Sequence, residues 1–154
     1  MTQTMPPPVA LALTAAGWQP GRRDDEAARR WGLLLASYNP PYPFFPAAAE
    51  TLARFGGLRI DPVAPGGEIA ASGMHLDPLL AVHSPAALAS LARRVGARLT
   101  PIGRETGGPG LLAVSERGEI FVLDHGGDWF AGQSIEDALV TLLTGRRPAR
   151  VPSG

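Results

Sequence analysis

The first half of the chain alternates runs of apolar residues at helical spacing with residues that end helices. Gly17, the Asn39-Pro40-Pro41 segment and the Gly56-Gly57 pair each stop such a run, because glycine favours helix C-caps and proline cannot continue a helix. The second run forms a stripe that turns Trp31 inward. The pattern predicts three helices, which begin at Val9, at Asp24 or Asp25, and at Pro46.

Two further helices are predicted in the second half. Ser84 stands before Pro85, which is the arrangement of an N-cap followed by proline at the first helical position. The apolar stripe that follows includes Leu91. Ser134 opens a sequence similar to a capping box before a terminal helix that carries Leu142. Both helices are expected to pack against a sheet and to bury Leu91 and Leu142.

Between these two helices the period shortens to that of β-strands. Glu116-Arg117-Gly118 separates two such runs and predicts a central hairpin, with glycine where a positive φ is required. A first hairpin is expected between Leu58–Asp61 and Glu68–Ser72, and Trp129-Phe130 is expected as a short edge strand. The longer strands are predicted over Leu99–Gly103, Leu111–Ser115 and Glu119–Asp124.

This order of elements predicts an α+β fold, with a predominantly antiparallel sheet of about five or six strands packed by four or five helices. A chain of 154 residues is expected to form one domain, here residues 9–147. Residues 1–8 end in three prolines and are expected to be a mobile leader. Residues 148–154 are expected to be a C-terminal tail.

Charge and cysteine content exclude several functional classes. The 14 basic and 14 acidic residues balance, whereas a protein that coats nucleic acid or an anionic membrane needs a basic surplus. The absence of cysteine excludes disulfides and thiolate metal sites. No apolar run is long enough to span a membrane, and no basic residue precedes the first apolar stretch as in a signal peptide. A soluble cytoplasmic protein is expected, one that binds neither nucleic acid directly nor membranes.

Signatures of catalysis and of cofactor binding fail in this sequence. The glycine-rich loop Gly107–Gly110 does not match a phosphate-binding loop, which needs a lysine that the chain lacks. Asp124-His125 and His75-Leu76-Asp77 each place an imidazole beside a carboxylate, but three scattered histidines do not match metal-binding spacing. We expect no cofactor, no metal and no catalytic residue. One alternative stays open, a small enzyme or ligand-binding domain that uses Asp124 and His125 in a cleft.

Acidic residues are concentrated in the second half. The segment from Arg104 to Asp137 contains seven acidic residues and two arginines, a local charge of −5. Near its end, Asp124, Asp128 and Trp129 follow the last long strand. Tryptophan is enriched among interface hot spots, and carboxylates beside it suit a basic protein partner. We predict these three as partner-binding residues, and the alternative is an ordinary solvated face.

Seven short segments of the sequence form an ordered set. They are Ala16-Gly17-Trp18-x-Pro20-Gly21-Arg22, Phe45-Pro46, Phe55-Gly56-Gly57-Leu58, Asp77-Pro78, Leu99-x-Pro101-Ile102-Gly103, Glu116-x-Gly118-x-Ile120 and Ala138-Leu139-x-x-Leu142-Leu143-x-Gly145. Together they resemble the third immunity-protein group of the SUKH superfamily, which is found in bacterial polymorphic toxin systems. The resemblance covers residues 17–147.

The resemblance implies an α+β fold with a mixed or antiparallel sheet wrapped by helices. It also implies a role in binding and neutralising a cognate toxin, frequently a nuclease or a nucleic-acid deaminase, with no catalysis and no cofactor. The motif residues also have structural roles that do not depend on the resemblance, since Gly56-Gly57 can end a helix and Gly118 can permit a turn. Partner-binding residues are therefore expected elsewhere, on loops and strand faces. The residues assigned to the scaffold are Trp18, Arg22, Phe55, Gly56, Gly57, Pro101, Gly103 and Gly118.

Overall fold

The computed structural model describes residues 5–153 and contains, over that range, five α-helices, one short 3₁₀-helix and seven β-strands. The helices are α1 (Pro7–Ala15), α2 (Asp25–Ala36), α3 (Pro46–Phe55), α4 (Pro85–Val95) and α5 (Ile135–Leu143), and the 3₁₀-helix is Pro78–Ala81. The strands are β1 (Arg59–Ile60), β2 (Met74–His75), β3 (Leu99–Glu105), β4 (Leu111–Ser115), β5 (Ile120–Asp124), β6 (Gly127–Gly132) and β7 (Ala149–Arg150).

All seven strands join one antiparallel sheet, in which the spatial order is the chain order. Strands β4 and β5 lie inside it and are joined by the Glu116-Arg117-Gly118 turn, where Gly118 has a φ of +91°. This positive φ is costly for any residue with a side chain. The α+β class and the central hairpin are confirmed, and the sheet has one strand more than the upper number expected.

Helices cover both faces of the sheet. Helices α1, α3 and α5 build the larger core on one face, and Phe55 and Leu139 are fully buried there. Helix α4 covers the other face, where Leu91 packs with Phe121 of β5. Leu91 is 0% exposed and Leu142 is 4% exposed, so the predicted burial of both leucines is confirmed.

Strand β3 carries a proline and a glycine at a break in its regular pairing. Pro101 pairs with Ala113, and the next pair joins Gly103 to Leu112, so the register shifts between them. Proline has no N–H to donate to the neighbouring strand. It is therefore tolerated in a strand mainly where the regular pairing is interrupted. A Cβ atom on Gly103 would lie 2.0 Å from the carbonyl oxygen of His75. The missing side chain therefore allows β2 to approach β3.

The first group of motif residues meets at the C-terminal end of α3. The rings of Trp18 and Phe55 stack with centroids 5.7 Å apart. The guanidinium of Arg22 donates to the carbonyl oxygens of Arg54 and Gly56, at 2.9 and 3.1 Å. The last carbonyl groups of a helix have no N–H donor within the helix, and Arg22 supplies one here. The turn after α1 is thereby attached to α3 by both an apolar and a polar contact.

Two glycines end α3 where α2 packs against it. Gly57 has a φ of +83°, the left-handed conformation that commonly follows a helix. A Cβ atom on Gly56 would lie 2.4 Å from the ring of Trp31, so only glycine lets that ring reach the helix end. Trp31 packs against the larger core, which agrees with the inward orientation predicted from its stripe.

The second strand lies later in the chain than predicted. The predicted strand over residues 68–72 is wrong, because β2 is Met74–His75. Amide groups in and next to the predicted segment are used elsewhere, since they donate to carbonyl oxygens in the last turn of α5 and in the two residues that follow it. These bonds are Gly67 to Thr144 at 3.0 Å, Glu68 and Ile69 to Gly145 at 2.9 Å, and Ser72 to Leu142 at 2.8 Å.

Both ends of the described chain are more regular than expected. Helix α1 begins at Pro7 rather than Val9, because proline suits the first turn of a helix. Of the expected leader, residues 1–4 lie outside the described residues. Strand β7 falls within the segment expected to be a tail and pairs with β6, with Trp129 opposite Arg150. Trp129-Phe130 is therefore not an edge strand, since β7 covers it.

Leu142→Ala tests this packing. The substitution should lower the free energy of unfolding by about 2–5 kcal/mol, because it removes buried methyl groups and leaves a cavity under α5. Urea denaturation of the variant and the wild type measures the difference. A loss below about 0.5 kcal/mol, which is typical of surface positions, would contradict the placement of α5.

Candidate functional site

Folding neutralises most of the acidic segment 104–137. Four of its carboxylates lie within ion-pair distance of an arginine, and three of those arginines come from α3, from α4 or from the residue that precedes β3. The pairs are Arg54–Glu136 at 2.7 Å, Arg98–Glu116 at 3.2 Å, Arg117–Glu119 at 3.6 Å and Arg94–Asp128. The local charge of −5 along the sequence is therefore not a continuous acidic surface.

Asp124, Asp128 and Trp129 all lie on the β5–β6 hairpin, but on two faces of the sheet. Val122 pairs with Trp129, and Leu123 pairs with Asp128. Because successive residues of a strand point to opposite faces, Asp124 shares a face with Trp129, and Asp128 lies on the other. The prediction of one group assumed a loop before Trp129, and the structure has strand β6 there instead.

Asp128 is engaged on the face that α4 covers. Its carboxylate accepts a hydrogen bond from the Arg94 guanidinium, and the two side chains are only 16% and 19% exposed. They line an open groove of about 750 Å³ to which Arg93 and Arg150 also contribute. This groove carries more arginines than carboxylates, so Asp128 is not the centre of an acidic surface.

Asp124 and Trp129 line a smaller cleft on the opposite face. It has a volume of about 260 Å³ and lies between the ends of β3, β5 and β6, the segment before β2, and the residues after α5. We call it the Glu105 cleft; its lining residues are Ile69, Ala70, Ser72, Glu105, Val122, Asp124, Trp129, Leu142, Arg147 and Pro148. Most of its wall is apolar, with two carboxylates and one guanidinium as the charged groups.

Glu105 is the titratable group that this cleft perturbs. Burial raises the pKa of its carboxyl above the ordinary glutamate value, and the negative charge of Asp124 raises it further. The Gly110 amide donates to its Oε2 at 3.1 Å, which opposes the rise. Among the described residues, neither Glu105 nor Asp124 has an arginine within ion-pair distance. The cleft thus holds two carboxylates without a cationic partner.

The glycine-rich loop between β3 and β4 supports Glu105. The Gly107 amide donates to the Ser72 hydroxyl at 3.1 Å, which joins the loop to the segment before β2. A Cβ atom on Gly110 would lie 2.6 Å from Glu105 Oε2 and 2.5 Å from Val122. Neither a role for this loop nor a site at Glu105 is predicted from the sequence, in which the available signal is a lone glutamate shortly before a run of glycines.

Trp129 forms one wall of the cleft. Its indole packs against the larger core, and the Arg150 guanidinium lies 5.6 Å from the ring centroid, within the range of a cation–π contact. Its Nε1 atom is buried and has no hydrogen-bond acceptor among the described residues. Packing rather than hydrogen bonding therefore fixes the position of this side chain.

The histidines do not join the cleft. His125 is exposed in the β5–β6 turn, where Asp124 accepts a hydrogen bond from the Gly126 amide at 2.7 Å. The cleft contains Asp124 but not His125, so the structure separates the two residues of the alternative catalytic hypothesis. Over residues 5–153, no group of three or more His, Asp or Glu side chains is placed to hold a metal ion.

The proline-rich loop borders a second surface with apolar character. The Tyr42 hydroxyl donates to the carbonyl oxygen of Val82 at 2.8 Å, which attaches the loop beside α4. A groove of about 210 Å³ separates residues 40–43 from Leu88 and its neighbours on α4. Tyr38 packs edge-on against Tyr42 and remains 38% exposed.

Comparison with known proteins gives one match. A family model described as SUKH-3 immunity protein matches residues 5–145, a range that includes all seven motif segments. No curated protein and no solved structure matches the chain. In the part of the chain that the structure describes, no helix has both the length and the apolar character needed to cross a membrane.

Glu105→Gln should change how stability depends on pH. The folded protein holds the pKa of Glu105 above the ordinary value of 4.5, so between these two values the folded state binds more protons than the unfolded state. The wild type therefore loses stability as pH rises through that window. The free energy of unfolding of the variant minus that of the wild type should increase there and then stay constant.

Urea unfolding at a series of pH values from about 3 to 8 measures this difference. Glu50→Gln is the control of opposite sign, because the hydrogen bond from Arg23 lowers the pKa of Glu50 in the folded state. The free energy of unfolding of Glu50→Gln minus that of the wild type should decrease as pH rises towards 4.5 and then stay constant. A flat or falling difference for Glu105→Gln would show that its carboxyl is not destabilised by burial.

Proposed function

The chain belongs to the SUKH-3 immunity protein family, and from this premise we propose that it binds and neutralises a cognate bacterial toxin by a non-catalytic protein–protein interaction. The observation that carries the proposal is the family match over residues 5–145. We further propose that the toxin attacks nucleic acid, as a nuclease or a deaminase, and that the encounter takes place in the cytoplasm, where such a target is found.

The contacts of the motif residues support a binding role for other parts of the surface. Trp18, Arg22 and Gly56 contact the interior or the backbone of the same chain, and Gly103 lies against β2. Such residues preserve a scaffold, whereas residues that recognise a partner are carried on exposed strand faces and loops. We therefore expect exposed strand faces and loops, and not the motif residues, to determine which toxin is bound.

We propose the β5–β6 hairpin as part of the contact with the toxin. It carries Asp124 and Trp129 on one face and Asp128 on the other. A partner that binds around the end of the hairpin would lie near all three residues. Toxins that hold nucleic acid need basic grooves. Asp124, which has no arginine within ion-pair distance among the described residues, offers complementary charge on this hairpin, and a toxin cation could compete with Arg94 for Asp128. The proline-rich loop is the next candidate surface, because its groove and the exposed Tyr38 are apolar.

Stoichiometry distinguishes an inhibitor from an enzyme that inactivates the toxin. With the cognate toxin, identified by co-purification with this protein, residual toxin activity should fall in proportion to added protein and disappear at a fixed molar ratio, independent of incubation time. An enzyme would inactivate an excess of toxin as time passes. A titration at several incubation times measures this, and time-dependent loss below that ratio would favour the alternative of a small enzyme.

His75→Ala and His125→Ala should each keep full protection. Neither histidine is required to transfer a proton or to bind a metal if the protein acts by binding alone. A growth assay with toxin expression measures protection, and thermal unfolding of each variant checks that the fold is retained. A loss of about a hundredfold or more in a folded variant would contradict the non-catalytic mechanism.

Substitutions on the hairpin test the proposed contact. Trp129→Ala should weaken toxin binding by about 2 kcal/mol or more, as is typical of a hot spot. Asp124→Asn and Asp128→Asn should mainly slow association and reduce its dependence on salt. Surface plasmon resonance across a salt series measures both effects. Rates like those of the wild type in all three variants would move the contact to another surface, first to the proline-rich loop.

Folding must be checked separately for two of these variants. Trp129 packs against the core, and Asp128→Asn breaks the largely buried pair with Arg94. That loss should cost about 1–3 kcal/mol of stability, between the values for exposed and for fully buried ion pairs. Urea denaturation gives this cost, and binding is then compared where each variant is fully folded.

A further inference from the structure

The Glu105 cleft has the size of a single side chain rather than of a cofactor. Ligand pockets for drug-sized molecules have volumes of about 300–1,000 Å³, and this cleft has about 260 Å³. Its walls are the apolar side chains of Ile69, Val122 and Leu142, with the indole of Trp129. A long side chain with an apolar stem could place that stem against these walls.

The charged groups of the cleft determine which charge the end of such a side chain must carry. Glu105 and Asp124 are both half-buried and lack an ion-pair partner among the described residues, unlike the carboxylates of Glu116, Glu119, Asp128 and Glu136. Arg147 is an exposed member of the rim, and its main-chain N–H donates to Glu68 at 2.9 Å. Two carboxylates against one guanidinium leave an excess of negative charge inside.

A cation that enters the cleft would relieve the cost of holding these carboxylates together. The charge of Asp124 and burial both disfavour ionised Glu105, as its raised pKa shows. A guanidinium or ammonium group between them would favour both ionised forms. Trp129 adds an aromatic wall against which the stem of such a side chain can pack, although the Arg150 guanidinium already lies 5.6 Å from the centroid of its ring. Apolar walls, two carboxylates and an indole are together complementary to arginine or lysine.

We propose that the Glu105 cleft is the receptor for one arginine or lysine side chain of the toxin, inserted between Glu105 and Asp124 beside Trp129. This inference rests on the proposed function and specifies the chemistry of its contact. Glu105 is the inner carboxylate, held by the Gly110 amide, and should act mainly on how long the complex lasts. Asp124, at the end of β5, should act mainly on the rate of association.

Glu105→Gln tests the cleft with little change of shape. The amide oxygen of glutamine can still accept the Gly110 N–H, but the negative charge is lost. The matched control is Glu26→Gln on α2, an exposed carboxylate on an element that does not line the cleft. Binding to the co-purified cognate toxin, prepared as a catalytically inactive variant, is measured by surface plasmon resonance.

The complex with Glu105→Gln should dissociate about tenfold faster or more, whereas Glu26→Gln should match the wild type. If Glu105→Gln dissociates within about twofold of the wild-type rate, the cleft is not the receptor, and the proposed inhibition of the toxin still stands. An equal loss with Glu26→Gln would also overturn the proposal, because the effect would then be one of net charge.

A second measurement uses the protein alone and does not depend on the toxin. Nα-acetyl-arginine amide is titrated while the indole N–H signal of Trp129 is followed by NMR, with Trp129→Phe used to assign that signal. The signal should shift and saturate, with an affinity on the order of millimolar for so small a ligand. Nα-acetyl-citrulline amide, which has similar shape and no charge, should leave it in place.

The shift should be lost in Glu105→Gln and kept in Glu26→Gln. No shift with the arginine amide, or the same shift with the citrulline amide, would overturn recognition of a cation in the cleft. If the wild type does not bind the toxin at all, the proposed function fails, and this titration alone decides whether the cleft is a receptor for cationic side chains.

Discussion

The fold depends on a central hairpin that is buried on both of its faces. Every residue of β5 from Ile120 to Leu123 is buried, as are Leu112 to Ser115 of β4. An antiparallel sheet often leaves one face in water, but two buried faces require cover on both. Helices α1, α3 and α5 provide it on one side and α4 on the other, so the sequence must supply helices before, within and after the strands.

The same constraint determines where a recognition surface can form. Helices cover the middle of the sheet on both faces, whereas the ends of several strands border clefts that open to solvent. The Glu105 cleft lies at the ends of β3 and β5, where amides of residues 67–72 donate to carbonyl groups at and just after the end of α5. Glu105 and Asp124 are not among the buried core residues, so these two side chains can change at a lower cost to the core than Val122 or Leu142 of the same cleft.

Local chemistry explains which features could be predicted from the sequence. Helix ends followed from capping residues and prolines, and the Gly118 turn from its glycine, because those preferences act over a few residues. Strands β2 and β7 have two residues each, too few for a period, and depend on partners far along the chain. The ion pair of Asp128 with Arg94 is equally non-local, and Glu105 joins Asp124 only through the sheet.

Charge balance within the fold bears on how such a protein could recognise a basic partner. Arg54, Arg94 and Arg98 neutralise carboxylates that would otherwise form an acidic surface, so long-range attraction of a toxin is reduced. Selectivity would then rest on a few carboxylates that the chain leaves without an arginine, in a site with apolar walls. A half-buried carboxylate without an ion-pair partner disfavours a ligand that brings no cation. A neutral chain can thereby discriminate through short-range complementarity where a highly acidic one would rely on attraction at a distance.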